Sequence, residues 1–189
     1  MRTMFKKAVS VLLATAVVVS GVAVTNGSTA QAAKKKSKTY QARVYFAATK
    51  KGKDCEWIAG DGSTAKQVIK NVKITKGKKA SVNLTVKNNN KNKVTGAVVC
   101  TVDMVGLLKD YKAKKVKISN VVVKADGKKV SVKPFQGCFE PKAEKGKYNY
   151  RLSIMNKWGK DGDNSWNEAR SKKIKFKKKL TISFKILAK

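Results

Sequence analysis

Three tryptophans lie beside polar and glycine residues, in stretches without the alternation of a strand. Trp158 and Trp166 bracket the polar segment 156–164, and Trp57 lies in the Gly- and Asp-containing segment 50–64, which we predict to be a loop. An indole ring offers a large flat apolar surface with one polar N–H, which suits the apolar face of a sugar ring. We interpret these tryptophans as candidate sugar-binding residues; the alternative is that each packs over a sheet edge with its N–H on a carbonyl.

An acidic cluster follows Trp158. Asp161, Asp163 and Asn164 are candidates for shaping the same ligand-binding loop, and Glu168 lies four residues further on. Calcium takes six to eight oxygen ligands from a flexible loop, so Asp161, Asp163 and Glu168 are candidate ligands of a structural calcium ion. The segment is not an EF-hand, because the twelfth residue counted from Asp161 is Lys172 instead of glutamate. A solvated turn is the alternative, and we expect no other cofactor.

The cysteines are odd in number. Cys100 is in phase with the apolar Val98 and Val102, which indicates a core position. Cys55 and Cys138 both fall in predicted loops and could form one disulfide in an oxidising compartment. Two free thiols are the alternative, because spacing alone does not determine connectivity.

The composition argues against catalysis. The chain has no histidine, which excludes a His-based triad and a zinc site that uses histidine. The formal net charge is +33, and lysine supplies nearly all of the positive charge. Lysine is a hydrated point charge, poorly suited to reading bases, so we expect no specific nucleic acid. An anionic wall polymer such as teichoic acid or an acidic polysaccharide would be attracted, although a solvated lysine-rich surface explains the charge equally.

Alternating apolar and polar residues predict the strands that must position these groups. The clearest runs are Tyr40–Ala47, Val68–Thr75, Ala80–Val86, Tyr148–Ile154 and Leu180–Ile186, and Asp126-Gly127 is a hairpin signal. The apolar run from Val94 to Gly106 fits a fully buried strand, and we place Tyr148 and Tyr150 in the core. The pattern predicts an all-β fold, a jelly-roll-like antiparallel β-sandwich of about eight or nine strands.

The N-terminus has the pattern of an export signal. A basic start is followed by an apolar stretch, Ala8–Val24, and by the A-x-A site Ala30–Ala32. We predict a signal peptide over 1–32, a basic flexible leader over 33–38 and a β-sandwich domain over 39–189. An uncleaved anchor is the alternative, although the apolar stretch is short for a membrane span of about 20 residues. No second apolar run follows, so we expect no transmembrane span in the mature chain.

Several strand and turn patterns occur together: Tyr40–Phe46 with Trp57 downstream, Val72–Leu84, Val116–Lys128, Arg151–Gly159 and Leu180–Phe184. This set, which covers most of residues 40–187, resembles a β-sandwich module of secreted surface proteins in Gram-positive anaerobes. Such modules are found near polysaccharide-degrading machinery and are similar in shape to carbohydrate-binding modules. The resemblance implies an extracellular, non-catalytic, glycan-binding protein.

The leading hypothesis is a secreted or cell-wall-associated module that binds a polysaccharide without catalysis, through Trp57, Trp158 and Trp166. One alternative is a cationic envelope protein that binds an anionic wall polymer through its lysines. Salt separates the two hypotheses, because charge attraction between exposed groups weakens as ionic strength rises. A third hypothesis is a structural module that docks another secreted protein.

Overall fold

The alternating segments form two antiparallel sheets in the computed structural model, which describes residues 36–50, 53–60, 65–89, 93–138, 148–159 and 166–189. All of these ranges belong to one compact unit, Lys34–Lys189. The strands, in chain order, are β1 Ser37–Lys50, β2 Lys53–Ala59, β3 Val68–Thr75, β4 Lys79–Lys87, β5 Ala97–Val105, β6 Val116–Ala125, β7 Lys128–Val130, β8 Phe135–Cys138, β9 Tyr150–Asn156 and β10 Lys179–Ala188. Two 3-10 turns, Leu107–Lys109 and Ala113–Lys115, and a short helix α1, Glu168–Ser171, complete the described elements.

The larger sheet is built around β1, a strand of 14 residues. Its strand order is β2-β1-β5-β9-β8, with β3 also paired to β1. Residues Ser37–Val44 of β1 pair with β3 and the last part of β1 pairs with β2, while β5 runs along the opposite edge. Ala42, Val44 and Phe46 are buried and form the inward face of this strand.

The smaller sheet has the order β4-β10-β6-β7. In β4 the buried residues alternate with exposed ones, and in β10 the even-numbered positions from Leu180 to Ala188 are buried. The Asp126-Gly127 turn joins β6 to β7, and both residues have positive φ (47° and 86°), as expected of a hairpin signalled by Asp-Gly. In β6, Asn120 also has positive φ, 54°, at a register shift that moves the buried face from Ile118 to Val123.

The inward faces of the two sheets share one hydrophobic core. Phe46 of β1 packs against Phe176, which lies just before β10, with ring centroids 5.5 Å apart and planes tilted by 60°. The predicted all-β sandwich is confirmed at this level, with ten strands in the described residues instead of eight or nine. No described helix has the length and apolar character needed to cross a membrane.

Two segments predicted as loops are strands. Lys53–Ala59 is β2, which folds back on the end of β1, and Phe135–Cys138 is β8, which pairs with β9. Neither segment alternates well, so its pairing depends on the neighbouring strand more than on its own pattern. Tyr148, predicted in the core, is 41% exposed because β9 begins only at Tyr150, which is buried as predicted.

The predicted Cys55–Cys138 disulfide stays a prediction. Cys55 lies in β2 and Cys138 in β8, at opposite edges of the larger sheet with three strands between them. Cys100 is fully buried as predicted, and burial raises the pKa of its thiol to about 12.

The start of the domain also differs from the prediction. The last two residues of the predicted leader, Ser37 and Lys38, belong to β1, and Lys38 Nζ lies 2.8 Å from Asp110 Oδ2. The predicted signal peptide, residues 1–32, lies outside the described residues.

Candidate functional site

Two of the three candidate tryptophans meet on the outward side of the larger sheet. Trp57 lies on β2 and Trp158 lies two residues beyond the end of β9. Their ring centroids are 6.4 Å apart and their planes are inclined by 30°, within the range of favourable aromatic pairs. Trp158 is 49% exposed and Trp57 is half-buried. We call Trp57 and Trp158 the tryptophan pair.

Small residues lie beneath this pair. Ala47 of β1 is opposite both Trp57 and Val99 of β5, and Ala47, Val98 and Val99 form a buried cluster against which Trp57 packs. Strands β2 and β9 are three inter-strand spacings apart, on the order of 14 Å. Two long indole side chains therefore span this distance above the small residues and meet.

Hydrogen bonds to the sheet position Trp158. The Lys157 N–H donates to the Val98 carbonyl at 3.0 Å, and the Trp158 N–H donates to Asn156 Oδ1 at 3.2 Å. Asn156 itself is buried. These hydrogen bonds hold the backbone of Trp158 on the sheet. Because this backbone is already ordered, the entropic cost of binding a ligand there is lower.

Trp166 does not join the pair. Its indole N–H donates to the carbonyl of Ala97 at 3.1 Å, and its ring packs against the main core. Lys157 Nζ lies 5.4 Å from the centroid of the ring, a distance that suits a cation–π contact. These contacts are those of a packing tryptophan whose polar atom is satisfied, so Trp166 anchors the chain before α1.

The candidate calcium ligands lie largely outside the described part of the chain. Asp161, Asp163 and Asn164 fall between residues 159 and 166 and are not described. Glu168 begins α1 and lies 2.6 Å from Lys172 Nζ, and this hydrogen bond lowers the pKa of its carboxyl. Within the described ranges no three His, Cys, Asp or Glu side chains are close enough to hold a metal ion.

A buried ion pair lies on the same outward face and was missed from the sequence. Asp103 of β5 is 1% exposed, and Arg151 of β9 donates to both of its oxygens, from Nε at 2.6 Å and from the second terminal nitrogen at 2.9 Å. Such a two-point pair is stronger than a single hydrogen bond. Arg43 of β1 lies opposite Asp103 on the other side, and the guanidinium of Arg151 is 5.7 Å from the ring centroid of Tyr45.

Two buried hydroxyls accompany this ion pair. Thr101 of β5 lies opposite Ser153 of β9, and both residues are fully buried. Neither hydroxyl has a hydrogen-bond partner among the described residues, and the same is true of Arg43 Nε. The sequence contained one sign of these buried polar groups. Asp103 is a carboxylate in the middle of an apolar strand, and a buried charge requires a partner.

Comparisons of the chain with protein-family models, with curated proteins and with solved structures found no match.

Proposed function

We propose that this chain is a secreted, non-catalytic module that binds a glycan through the tryptophan pair. The observation that carries the proposal is the half-exposed ring of Trp158, held beside Trp57 above small residues of the sheet. Trp158 is the most exposed of the large apolar side chains in the described part of the chain, and an apolar patch rimmed by polar residues is typical of a ligand-binding surface.

The geometry supports stacking on sugar rings. The ring of Trp158 is exposed, and the ring of Trp57 lies 6.4 Å from it at an inclination of only 30°, so the pair offers an exposed apolar surface. A surface of this kind suits the flat apolar faces of consecutive sugar units in a polysaccharide. Because the contact is apolar, we expect binding of a neutral polysaccharide to change little with salt.

We infer the proposed secretion of the protein and its non-catalytic role from the sequence. The basic start, the apolar stretch Ala8–Val24 and the A-x-A site favour export by a signal peptide. The absence of histidine from the chain favours a binding role over acid–base catalysis. The two antiparallel sheets are compatible with the proposed jelly-roll connectivity.

A binding panel of insoluble and soluble polysaccharides tests this function. We expect the wild-type protein to be retained by at least one neutral polysaccharide, and Trp158→Ala to lower the affinity by about tenfold or more, as for a central aromatic contact. The matched control is Tyr148→Ala, which removes another exposed ring, 41% exposed, outside the tryptophan pair. It should bind as the wild type does.

Two results would contradict the proposal. The first is equal binding of every polysaccharide by Trp158→Ala and by the wild type. The second is retention that disappears at about 1 M salt, where the Debye length falls to about 3 Å, since that would assign binding to the lysines.

A further inference from the structure

The outward face of the smaller sheet carries lysines and no carboxylate. The strands β4, β6, β7 and β10 contain neither aspartate nor glutamate. At the positions of these strands that face away from the core, every charged residue is an exposed lysine. We call this surface the lysine face; its lysines are Lys79, Lys87, Lys117, Lys124, Lys129, Lys179 and Lys185.

The lysines form two groups. One group lies where β10 begins and consists of Lys87, Lys179, Lys124 and Lys129, and the other lies towards the end of β10 and consists of Lys79, Lys185 and Lys117. Lys179 and Lys185 are six residues apart on one strand, so the groups are about 20 Å apart. Beside and between the two groups, most outward positions hold short polar side chains: Ser81, Asn83, Thr85, Ser119, Thr181 and Ser183. Val122, opposite Ser183, and Leu187, opposite Lys79 and Lys117, are the apolar exceptions.

Like charges are placed directly opposite each other within the first group. Lys87 pairs with Lys179 across β4 and β10, and Lys124 pairs with Lys129 across β6 and β7. Opposed like charges on neighbouring strands destabilise a sheet. A bound anion would remove this repulsion.

The nearby carboxylate does not neutralise this group. Asp126 lies in the turn between β6 and β7, and its two oxygens accept the backbone N–H groups of Lys177, Lys178 and Lys179. Among the described residues, no lysine of the face forms an ion pair.

We propose that the lysine face binds an extended polyol phosphate polymer, of the teichoic acid class. Lysine ammonium groups suit singly charged phosphodiesters, because each is a point charge with three donors. The intervening Ser, Thr and Asn side chains suit the free hydroxyls of the polyol units. The described outward positions of this sheet hold no aromatic ring, so the face lacks the stacking surface by which proteins bind bases or sugar rings.

This proposal is independent of the tryptophan pair, which lies on the other sheet. A protein with both surfaces could contact a glycan on one side and a phosphate polymer on the other. Loss of glycan binding should leave binding of the phosphate polymer intact, and the reverse should also hold. Failure of one proposal can therefore be distinguished from failure of the other.

Binding to immobilised poly(glycerol phosphate), measured as a function of salt, tests the proposal. The test variant carries Lys87→Gln, Lys179→Gln, Lys124→Gln and Lys129→Gln. The control variant has the same net charge but carries Lys73→Gln, Lys109→Gln, Lys112→Gln and Lys173→Gln, all exposed and outside the lysine face. Each lysine that contacts a phosphate contributes about 0.7 to the slope of log affinity against log salt in a flexible polyanion.

We expect the test variant to bind at least about tenfold more weakly near 0.15 M salt and with a shallower salt slope, and the control to stay near the wild type. Trp158→Ala should bind poly(glycerol phosphate) normally. Equal losses in the test and control variants would overturn the proposal, because net charge would then suffice. Competition by single-stranded DNA or polygalacturonate as strong as that by free poly(glycerol phosphate) would overturn the assigned ligand class.

Discussion

The outward faces of the two sheets differ in both the charge and the burial of their side chains. On the larger sheet the charges of Asp103 and Arg151 are paired and the ring of Trp158 is exposed. On the smaller sheet the charges are unpaired lysines among short polar residues, within the described part of the chain. The two outward faces therefore differ in the chemistry that they offer to a ligand.

Burial explains why the two faces have different sequences. Every residue of β5 except Val105 is buried, whereas β4 alternates between buried and exposed residues. A strand covered on both sides tolerates few charges, and each needs a partner. A strand with one solvated face can place lysine at its outward positions. The contrast between a paired charge and a solvated charge can be tested by substitution.

The largest expected effect is that of Asp103→Ala. The change leaves the guanidinium of Arg151, whose side chain is only 12% exposed, without its carboxylate. Removing one partner of a buried ion pair destabilises a protein by about 3–5 kcal/mol. We expect a loss of this size in the free energy of unfolding, measured by urea denaturation with an unchanged slope.

A double variant and an exposed pair serve as controls. Asp103→Leu with Arg151→Met replaces the ion pair by apolar side chains and should recover most of the lost stability. Glu168→Gln removes the carboxylate of an exposed pair with Lys172 and should not change stability measurably. If Asp103→Ala were as stable as the wild type, the larger sheet would not depend on its buried charges.

The next largest effect should distinguish Trp166 from Trp158. Trp166→Ala removes a ring that packs on the core and donates to Ala97. We expect a loss of about 2 kcal/mol, roughly half of the cost of truncating a fully buried tryptophan. Trp158→Ala should change the free energy of unfolding by less than about 0.5 kcal/mol, as for an exposed position. Equal losses in the two variants would mean that Trp158 is also a packing residue.

The strands with one wet face could be predicted from the sequence, because their alternation is a local signal. β3 extends from Val68 to Thr75, as predicted, and β4 and β10 differ from their predictions only by a few residues at their ends. β2 and β8 could not be predicted in this way. Lys53–Ala59 includes Lys, Asp and Glu, and it becomes a strand because β1 offers an edge with which it can pair.

The candidate site was predictable in residue type but not in arrangement. Trp57 and Trp158 were identifiable as tryptophans beside polar residues, but their contact joins segments far apart in the chain. The pairing of Asp103 with Arg151 depends on the register of β5 against β9. Register is fixed by the packing of a whole sheet, and a single sequence does not display it.

The smallest expected effect is on the smaller sheet and depends on pH. Hydrogen bonds from the backbone N–H groups of Lys177, Lys179 and Lys178 lower the pKa of Asp126 below its ordinary value of 3.8. Because the folded-state pKa is the lower one, the stabilisation from Asp126 is complete above about pH 4 and is lost as pH falls through the folded-state pKa. Asp126→Asn should therefore lower Tm at neutral pH and reduce the further fall of Tm in acid.

Asp110 provides the matching test on the larger sheet. Hydrogen bonds from Lys38 and Tyr40 lower the pKa of Asp110 and tie β1 to the segment after β5. Asp110→Asn should remove a separate part of the fall of Tm in acid. The variant with both Asp110→Asn and Asp126→Asn should show the sum of the two single changes in Tm, as expected for distant sites. A pH profile of Tm for Asp126→Asn that parallels the wild type would show that its three backbone contacts do not stabilise the edge of the lysine face.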